Sequence, residues 1–172
     1  GEGVYLEGWA GVFLTPYESS GAPYAYGVTV DLDCVINAVQ DIDGYNGHGV
    51  YINGQIKNTE SNYPVFNLHG NTEITSTGTG IYAAGYAEWN IDGASIEGDI
   101  GIGAKSGKFD IKDATINGKG EYVDPIGYNG NGIETDGSAL LIDSNHAGYA
   151  GKIDITISGD TVLNSENSKA VS

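Results

Sequence analysis

The sequence predicts an all-β fold, a parallel β-helix solenoid of about five coils with long corner loops, and three observations support this prediction. Short blocks of alternating apolar and polar residues recur at irregular intervals, which indicates one structural unit stacked on itself. Two blocks, Trp89–Gly98 and Phe109–Gly118, match with a constant offset of 20 residues, too short for a helical repeat or a propeller blade. The 28 glycines suit tight turns between short strands.

The opening strand of each coil is predicted from a glycine followed by a branched apolar residue. That apolar residue points inward, so the residue after it points outward. In three copies the outward residue is tyrosine, and Tyr5, Tyr51 and Tyr82 are expected to form an exposed aromatic ladder that stabilises stacking or binds a ligand. The five copies are Gly3-Val4-Tyr5-Leu6, Gly49-Val50-Tyr51-Ile52, Gly80-Ile81-Tyr82-Ala83, Gly101-Ile102-Gly103-Ala104 and Gly132-Ile133-Glu134-Thr135.

A second strand is predicted where apolar residues flank Asn, Asp or Thr. Its aromatic residues are expected inside the solenoid, and the flanked polar residues outside, where side-chain hydrogen bonds between coils stabilise parallel stacks. A third element closes the later turns with one apolar residue each. The inward columns are Val30, Phe66, Trp89, Phe109 and Ile155, then Leu32, Leu68, Ile91, Ile111 and Ile157. The third element is predicted at Ile74, Ile96, Ile116 and Val162, and the polar ladder is Asp31, Asn67, Asn90, Asp110 and Thr156.

The composition limits the classes of partner. A net charge of −16 with no arginine argues against nucleic acid and against an anionic membrane surface, because both attract clustered cations. There is no apolar run of membrane-spanning length, so membrane insertion is not expected. We expect residues 1–172 to be a single domain from a larger secreted protein, since Lys169–Ser172 resembles the opening strand of a sixth coil. Cys34 is expected to be a buried thiol.

The irregular insertions between strands are rich in tyrosine. Insertions in a solenoid collect at its corners and often build the binding face. Tyrosine together with Asn, Asp and Gly suits stacking on a pyranose ring and hydrogen bonding to its hydroxyl groups, although the same residues also make ordinary turns. In the longest late loop, the candidate ligand-binding residues are Tyr122, Asp124, Tyr128 and Asn129.

Calcium is the one candidate cofactor, and none is required. Asp41, Asp43 and Asn46 have the oxygen spacing of a calcium-binding turn with a glycine between them, but the full twelve-residue register of an EF-hand loop is absent. The three histidines lie far apart in the sequence without paired ligands, which argues against zinc.

The phrases GTGIYAAGYAEWNIDGASIEGD and KIDITISGDTVLNSENSKAV resemble the right-handed parallel β-helix of the pectin-lyase-like superfamily, in the glycine-rich form found on surface proteins of Gram-positive bacteria. The resemblance covers residues 3–172 and implies a secreted or cell-surface location. Members of that superfamily include polysaccharide lyases, glycoside hydrolases, carbohydrate-binding modules and adhesins. The resemblance is therefore specific for fold and leaves function open.

Three functions remain after the composition is considered. A lyase acting on uronates uses a strong base, and this chain has no arginine and only scattered lysines. A glycoside hydrolase needs two carboxylates flanking the scissile bond, for which Asp92 and Asp110 are the candidates. We favour a non-catalytic carbohydrate-binding or adhesive module whose partner is a polysaccharide or a host or cell-wall glycan, with a structural stalk as the alternative and an enzyme as the second alternative.

Overall fold

The structure, a computed structural model, describes residues 5–7, 10–14, 27–39, 47–52, 63–122, 127–128, 134–143 and 152–172. These residues form a parallel β-helix, which confirms the predicted fold class. Each coil contributes one strand to each of three parallel sheets, called sheets I, II and III in the order in which the chain enters them. Within the described ranges there is no helix, and hence none with the length and apolarity to cross a membrane.

The strands follow one another in a fixed order around the coil. Sheet I contains β1 (Tyr5–Glu7), β4 (Val35–Ala38), β7 (Glu73–Ser76), β10 (Ser95–Gly98), β13 (Thr115–Glu121) and β18 (Val162–Asn167). Sheet II contains β2 (Ala10–Leu14), β5 (His48–Ile52), β8 (Thr79–Ala83), β11 (Ile100–Ala104) and β16 (Leu140–Ile142). Sheet III contains β3 (Thr29–Leu32), β6 (Val65–Leu68), β9 (Glu88–Asp92), β12 (Gly107–Lys112) and β17 (Ile153–Ser158). An antiparallel pair, β14 (Gly127–Tyr128) and β15 (Glu134–Thr135), lies between β13 and β16.

The predicted aromatic column lies in the centre of the core. The register of sheet III aligns Val30, Phe66, Trp89, Phe109 and Ile155, as expected. The Trp89 ring is fully buried and stacks on Phe66 with centroids 4.3 Å apart and on Phe109 at 5.9 Å. The column that runs from Leu32 to Ile157 is confirmed by the same pairing, and Cys34 is a buried free thiol.

Two of the five predicted opening strands are assigned to the wrong residues. Tyr5 pairs with Val35 in sheet I, while the true partner of Val50 in sheet II is Val12. At the other end Ile102 pairs with Leu140, and Glu134 belongs to the antiparallel pair. The motif misleads because a glycine before an apolar residue also occurs at turns, so it does not identify the strand by itself. The third element is similarly off by one, since Leu163 and not Val162 pairs with Ile116.

The end of the chain begins a sixth coil, as expected. Val171 forms a parallel bridge to Leu140 of β16. The Leu140 N–H donates to the carbonyl of Ala170 at 3.0 Å, and the Ile142 N–H donates to the carbonyl of Ser172 at 3.0 Å. Sheets I and II therefore both extend into a sixth layer, through β18 and Val171 respectively.

Glycines at the start of sheet II interlock with isoleucines of sheet I in the next coil. A Cβ atom placed on Gly80 would lie 2.6 Å from Cγ2 of Ile96, and one placed on Gly101 would lie 2.5 Å from Cγ2 of Ile116. Both distances are shorter than carbon atoms tolerate without displacement. The repeated glycine is thus a steric requirement of the corner between sheets I and II.

Candidate functional site

The predicted tyrosine ladder exists in part, but its two described tyrosines are not exposed. Tyr51 and Tyr82 stack with ring centroids 4.9 Å apart, and the third ring is Phe13, 5.0 Å from Tyr51, in place of Tyr5. The exposed fraction is only 9% for Tyr51 and 1% for Tyr82. Every residue of β5, β8 and β11 is buried, so both faces of sheet II are buried in these three middle strands. Phe13, on the edge strand β2, is 46% exposed. The expectation that these tyrosines face solvent is therefore wrong.

A histidine belongs to the same buried layer. His48 has no solvent exposure, and its ring centroid lies 5.6 Å from that of Tyr51 and 6.3 Å from that of Tyr82. Its Nδ1 atom accepts a hydrogen bond of 3.1 Å from the Thr79 N–H. Burial lowers the pKa of His48 from 6.5 to about 4. His48 is consequently neutral at pH 7, and the outer face of sheet II has the character of a second core.

The late-loop residues are only partly within the described ranges. Tyr122 is 40% exposed, and Lys169 Nζ lies over its ring, 4.8 Å from the centroid. Tyr128 lies in β14, and its backbone pairs with Glu134. Asp124 and Asn129 lie outside the described residues, as do all three predicted calcium ligands, Asp41, Asp43 and Asn46. Among the residues that are described, no group of three or more His, Cys, Asp or Glu side chains is arranged to hold a metal ion.

The outer face of sheet III carries the predicted polar ladder. Its five residues are in register from β3 to β17. Asn67 Nδ2 donates to Asp31 Oδ1 at 2.8 Å, and Asn90 Nδ2 donates to Asn67 Oδ1 at 2.9 Å. Each hydrogen bond joins one coil to the next, as expected for a stabilising ladder.

A cluster of polar and aromatic side chains adjoins this ladder where sheet III begins. Glu88 lies at its centre: Tyr63 Oη donates to Oε2 at 3.3 Å, Asn90 Nδ2 donates to Oε1 at 3.5 Å, and Lys108 Nζ is 4.0 Å from Oε2. The Tyr63 ring meets the Tyr86 ring edge to face, with centroids 5.3 Å apart. We call Tyr63, Tyr86, Glu88, Asn90 and Lys108 the Glu88 cluster. Lys108 is exposed, and the other four members are partly exposed.

Sequence reasoning missed most of this cluster, although a signal for it was present. Tyr63 falls in a tyrosine-rich insertion, but Tyr86 and Glu88 were not singled out. Both tyrosines stand three residues before a core aromatic, Tyr63 before Phe66 and Tyr86 before Trp89. Because Phe66 and Trp89 are paired, that spacing brings the two tyrosines to equivalent places in neighbouring coils.

The carboxylates considered for hydrolysis lie in a different environment from a catalytic pair. Asp92 and Asp110 are both exposed. Asp92 is 3.6 Å from Lys112 Nζ, and the negative charges of Asp92 and Asp113 raise the pKa of Lys112. A hydrolase needs one carboxyl group desolvated enough to hold a proton near neutral pH. An exposed carboxylate beside a lysine does not meet that requirement.

The comparisons with known proteins add no family. No protein-family model matches the chain, and searches of curated proteins and of solved structures find no match. The class that the structure defines is a parallel β-helix. Membership of the pectin-lyase-like superfamily and an origin on Gram-positive surface proteins stay predictions from the sequence resemblance.

Proposed function

We propose that this chain is a non-catalytic carbohydrate-binding module of a secreted or cell-surface protein, and that it binds a polysaccharide along the outer face of sheet III. The observation that carries the proposal is the Glu88 cluster, in which two partly exposed tyrosines adjoin a carboxylate and an amide. An adhesive role for the whole protein follows if the glycan belongs to a host or to a cell wall.

The cluster has the chemistry that sugars require. A tyrosine ring offers a flat apolar surface to the C–H face of a pyranose at low entropic cost. Glu88 accepts hydrogen bonds from hydroxyl groups, while the amides of Asn90 and Asn67 both donate and accept them. The polar ladder repeats at each coil, so a long polysaccharide running along the solenoid axis meets similar groups several times. Weak contacts of about 1 kcal/mol per ring then add to dissociation constants of roughly micromolar to millimolar.

Charge selects the kind of polysaccharide. The chain carries a net charge of −16, and Asp31, Glu88 and Asp110 all lie on the outer face of sheet III. An acidic polymer is repelled by this surface and binds only when calcium bridges the like charges. Neutral polysaccharides need no ion. The preferred ligand is therefore neutral, with calcium as an optional aid to acidic ones.

A titration of neutral and acidic polysaccharides, with and without calcium, tests the proposal. The variant Tyr63→Ala/Glu88→Gln should weaken the best neutral ligand at least about tenfold, while its far-ultraviolet spectrum and its thermal midpoint stay close to those of the parent. Glu73→Gln removes an exposed carboxylate from sheet I and is the matched control for charge. Tyr122→Ala is the control for an exposed tyrosine, and it also tests the late loop.

Two outcomes would reject the proposal. If no polysaccharide binds under any condition, the structural stalk replaces the binding module. If a polysaccharide binds equally well to the parent and to Tyr63→Ala/Glu88→Gln but is lost in Tyr122→Ala, the binding face lies at the late loop instead of sheet III.

A further inference from the structure

The corner where the chain enters sheet II in the fifth coil holds a buried carboxylate. There, between β15 and β16, the chain runs through Asp136, Gly137 and Ser138. Asp136 has no solvent exposure, and neither of its carboxylate oxygens has a hydrogen-bond partner in the described part of the chain. A charged carboxylate in such a place is strongly unfavourable unless an opposite charge or several hydrogen bonds compensate it.

Two serine hydroxyls belong to the same corner. Ser138 is fully buried, and its Oγ atom has no hydrogen-bond partner among the described residues. Ser168 reaches the corner from the sixth layer, because Ser165 Oγ donates to the Gly137 carbonyl at 2.8 Å and the Ser168 N–H donates to Ser165 Oγ at 2.9 Å. The buried Oγ atom of Ser168 likewise has no partner in the described ranges. We call Asp136, Ser138 and Ser168 the Asp136 site.

The surrounding backbone encloses the Asp136 site. Gly137 has a φ of +77°, and a Cβ atom placed on it would collide with the backbone of β13. This packing fixes the chain after Asp136, and the pairing of β15 with β14 fixes it before Asp136. The fourth coil lies on one side, where the Gly101 N–H donates to the Ser138 carbonyl at 3.0 Å, and Ser168 lies on the other. Asp136 is therefore held inside the solenoid from both directions.

The lysines of the neighbouring strands contact other groups. Lys119 Nζ is 2.8 Å from Glu97 Oε1, and Lys169 Nζ lies over the Tyr122 ring. Neither lysine is a partner of Asp136. The chain as a whole has a net charge of −16, which concentrates small cations from solution around it. Such a cation can supply the positive charge that the side chains around Asp136 do not.

We propose that the Asp136 site binds one calcium ion, with the Asp136 carboxylate as the charged ligand and the hydroxyls of Ser138 and Ser168 as neutral ligands. The described residues offer no group of three acidic or histidine side chains, so backbone carbonyls or water complete the shell. Calcium accepts such mixed oxygen ligands in flexible geometry, whereas magnesium demands a near-ideal octahedron and zinc favours nitrogen and sulfur. The inference is independent of polysaccharide binding, because the Glu88 cluster lies on sheet III.

The test measures calcium binding to the whole chain, without polysaccharide, after a chelator has removed all metal. Isothermal titration calorimetry should show a calcium site that is lost in Asp136→Asn. At a calcium concentration about 100 times the dissociation constant, the thermal midpoint of the parent should rise by about 5–10 °C. Asp136→Asn replaces the buried charge by a neutral amide of the same shape. Its midpoint in chelator should therefore equal or exceed that of the parent, and calcium should not raise it.

Three further variants make the test specific. Asp154→Asn removes an exposed carboxylate from the same coil and should keep the full calcium response, as should Asp43→Asn in the turn that the sequence predicts to bind calcium. Ser138→Ala keeps the charge and should weaken calcium binding at least about tenfold, so it decides the matter if Asp136→Asn does not fold. No calcium shift in the parent, an equal shift in Asp136→Asn, unchanged affinity in Ser138→Ala, or a loss confined to Asp43→Asn would overturn the proposal. An equal shift with magnesium or sodium would overturn the choice of calcium.

Discussion

The outer faces of sheets II and III differ more than their sequences suggest. Both sheets have parallel strands of four to six residues through the middle coils, and both alternate around the same core. In sheet III most outward residues are polar and at least partly exposed, as in β12, where buried and exposed residues alternate strictly. In sheet II every residue of the middle strands is buried, and the outward positions hold Tyr51, Tyr82 and His48.

This difference separates two kinds of information in a repeat sequence. Alternation of apolar and polar residues tells which side chains meet the core of the solenoid. It does not tell whether the outward face of the strand is exposed to solvent, because that depends on how the rest of the chain packs against it. Aromatic residues at outward positions were interpreted as a binding surface, whereas here they form a second buried layer beside the first. The exposed polar side chains lie on the outer face of sheet III instead.

The largest effect is expected in the core that the two sheets share. Trp89→Ala removes the central ring of the Phe66–Trp89–Phe109 stack and should lower the free energy of unfolding by about 4 kcal/mol. Chemical denaturation measures this loss. This loss should exceed the loss caused by truncating any outward residue of sheet II or sheet III. A loss below about 1 kcal/mol would place Trp89 outside the core.

The comparison itself is tested by truncating the outward residue of β8. Tyr82→Ala should cost about 3 kcal/mol, because the ring is 1% exposed and stacks on Tyr51. If the outer face of sheet II is exposed to solvent, Tyr82→Ala should lower the free energy of unfolding no more than the substitution of an exposed residue does. Denaturation of the variant beside Trp89→Ala distinguishes the two cases.

The buried histidine should make stability depend on pH. The pKa of His48 is lowered from 6.5 to about 4 by burial, so the unfolded state binds a proton more readily than the folded state. The stability is complete above pH 6.5 and is lost as the pH falls towards 4, by about 2 kcal/mol at pH 5. His48→Gln should remove this part of the pH dependence, and His69→Gln, at an exposed histidine, should leave it unchanged.

The smallest effect is expected on the polar face. Asn90 points outward in β9, which follows β8, the strand of Tyr82, in the same coil. Its amide donates a hydrogen bond to Asn67. Asn90→Ala should therefore cost about 1 kcal/mol, the usual net value of one partly solvated hydrogen bond. A cost equal to that of Tyr82→Ala, in the same denaturation assay, would show that the two faces do not differ.

The sequence was sufficient for the core of the fold and insufficient for the ends and the surface. The offset between Trp89 and Phe109 predicted the register of sheet III correctly, since both residues and spacing repeat. The assignment of Gly3-Val4-Tyr5-Leu6 failed because a four-residue pattern cannot distinguish the strands of sheet I from those of sheet II. Burial of Tyr82 was not predictable, since it depends on long-range packing that no local pattern encodes.

The candidate site was predictable only as a set of residue types. Tyrosine with Asn and acidic residues was expected at a corner, and the Glu88 cluster has that composition beside β6 and β9. Its members were not identified, because bringing Tyr63 beside Tyr86 requires the register between coils. Tyr122 was predicted as a candidate and is exposed, but its role in binding stays a prediction.

The interlock of glycine with isoleucine has a consequence for how such a chain changes length during evolution. The space beside Gly80 is filled by Ile96 from the following coil, and that beside Gly101 is filled by Ile116. A duplication or deletion that separates a glycine from its isoleucine would leave either a hole or a collision. Gene segments that begin at one glycine and extend past the isoleucine it accommodates avoid both, so they are the units that can be copied without loss of fit.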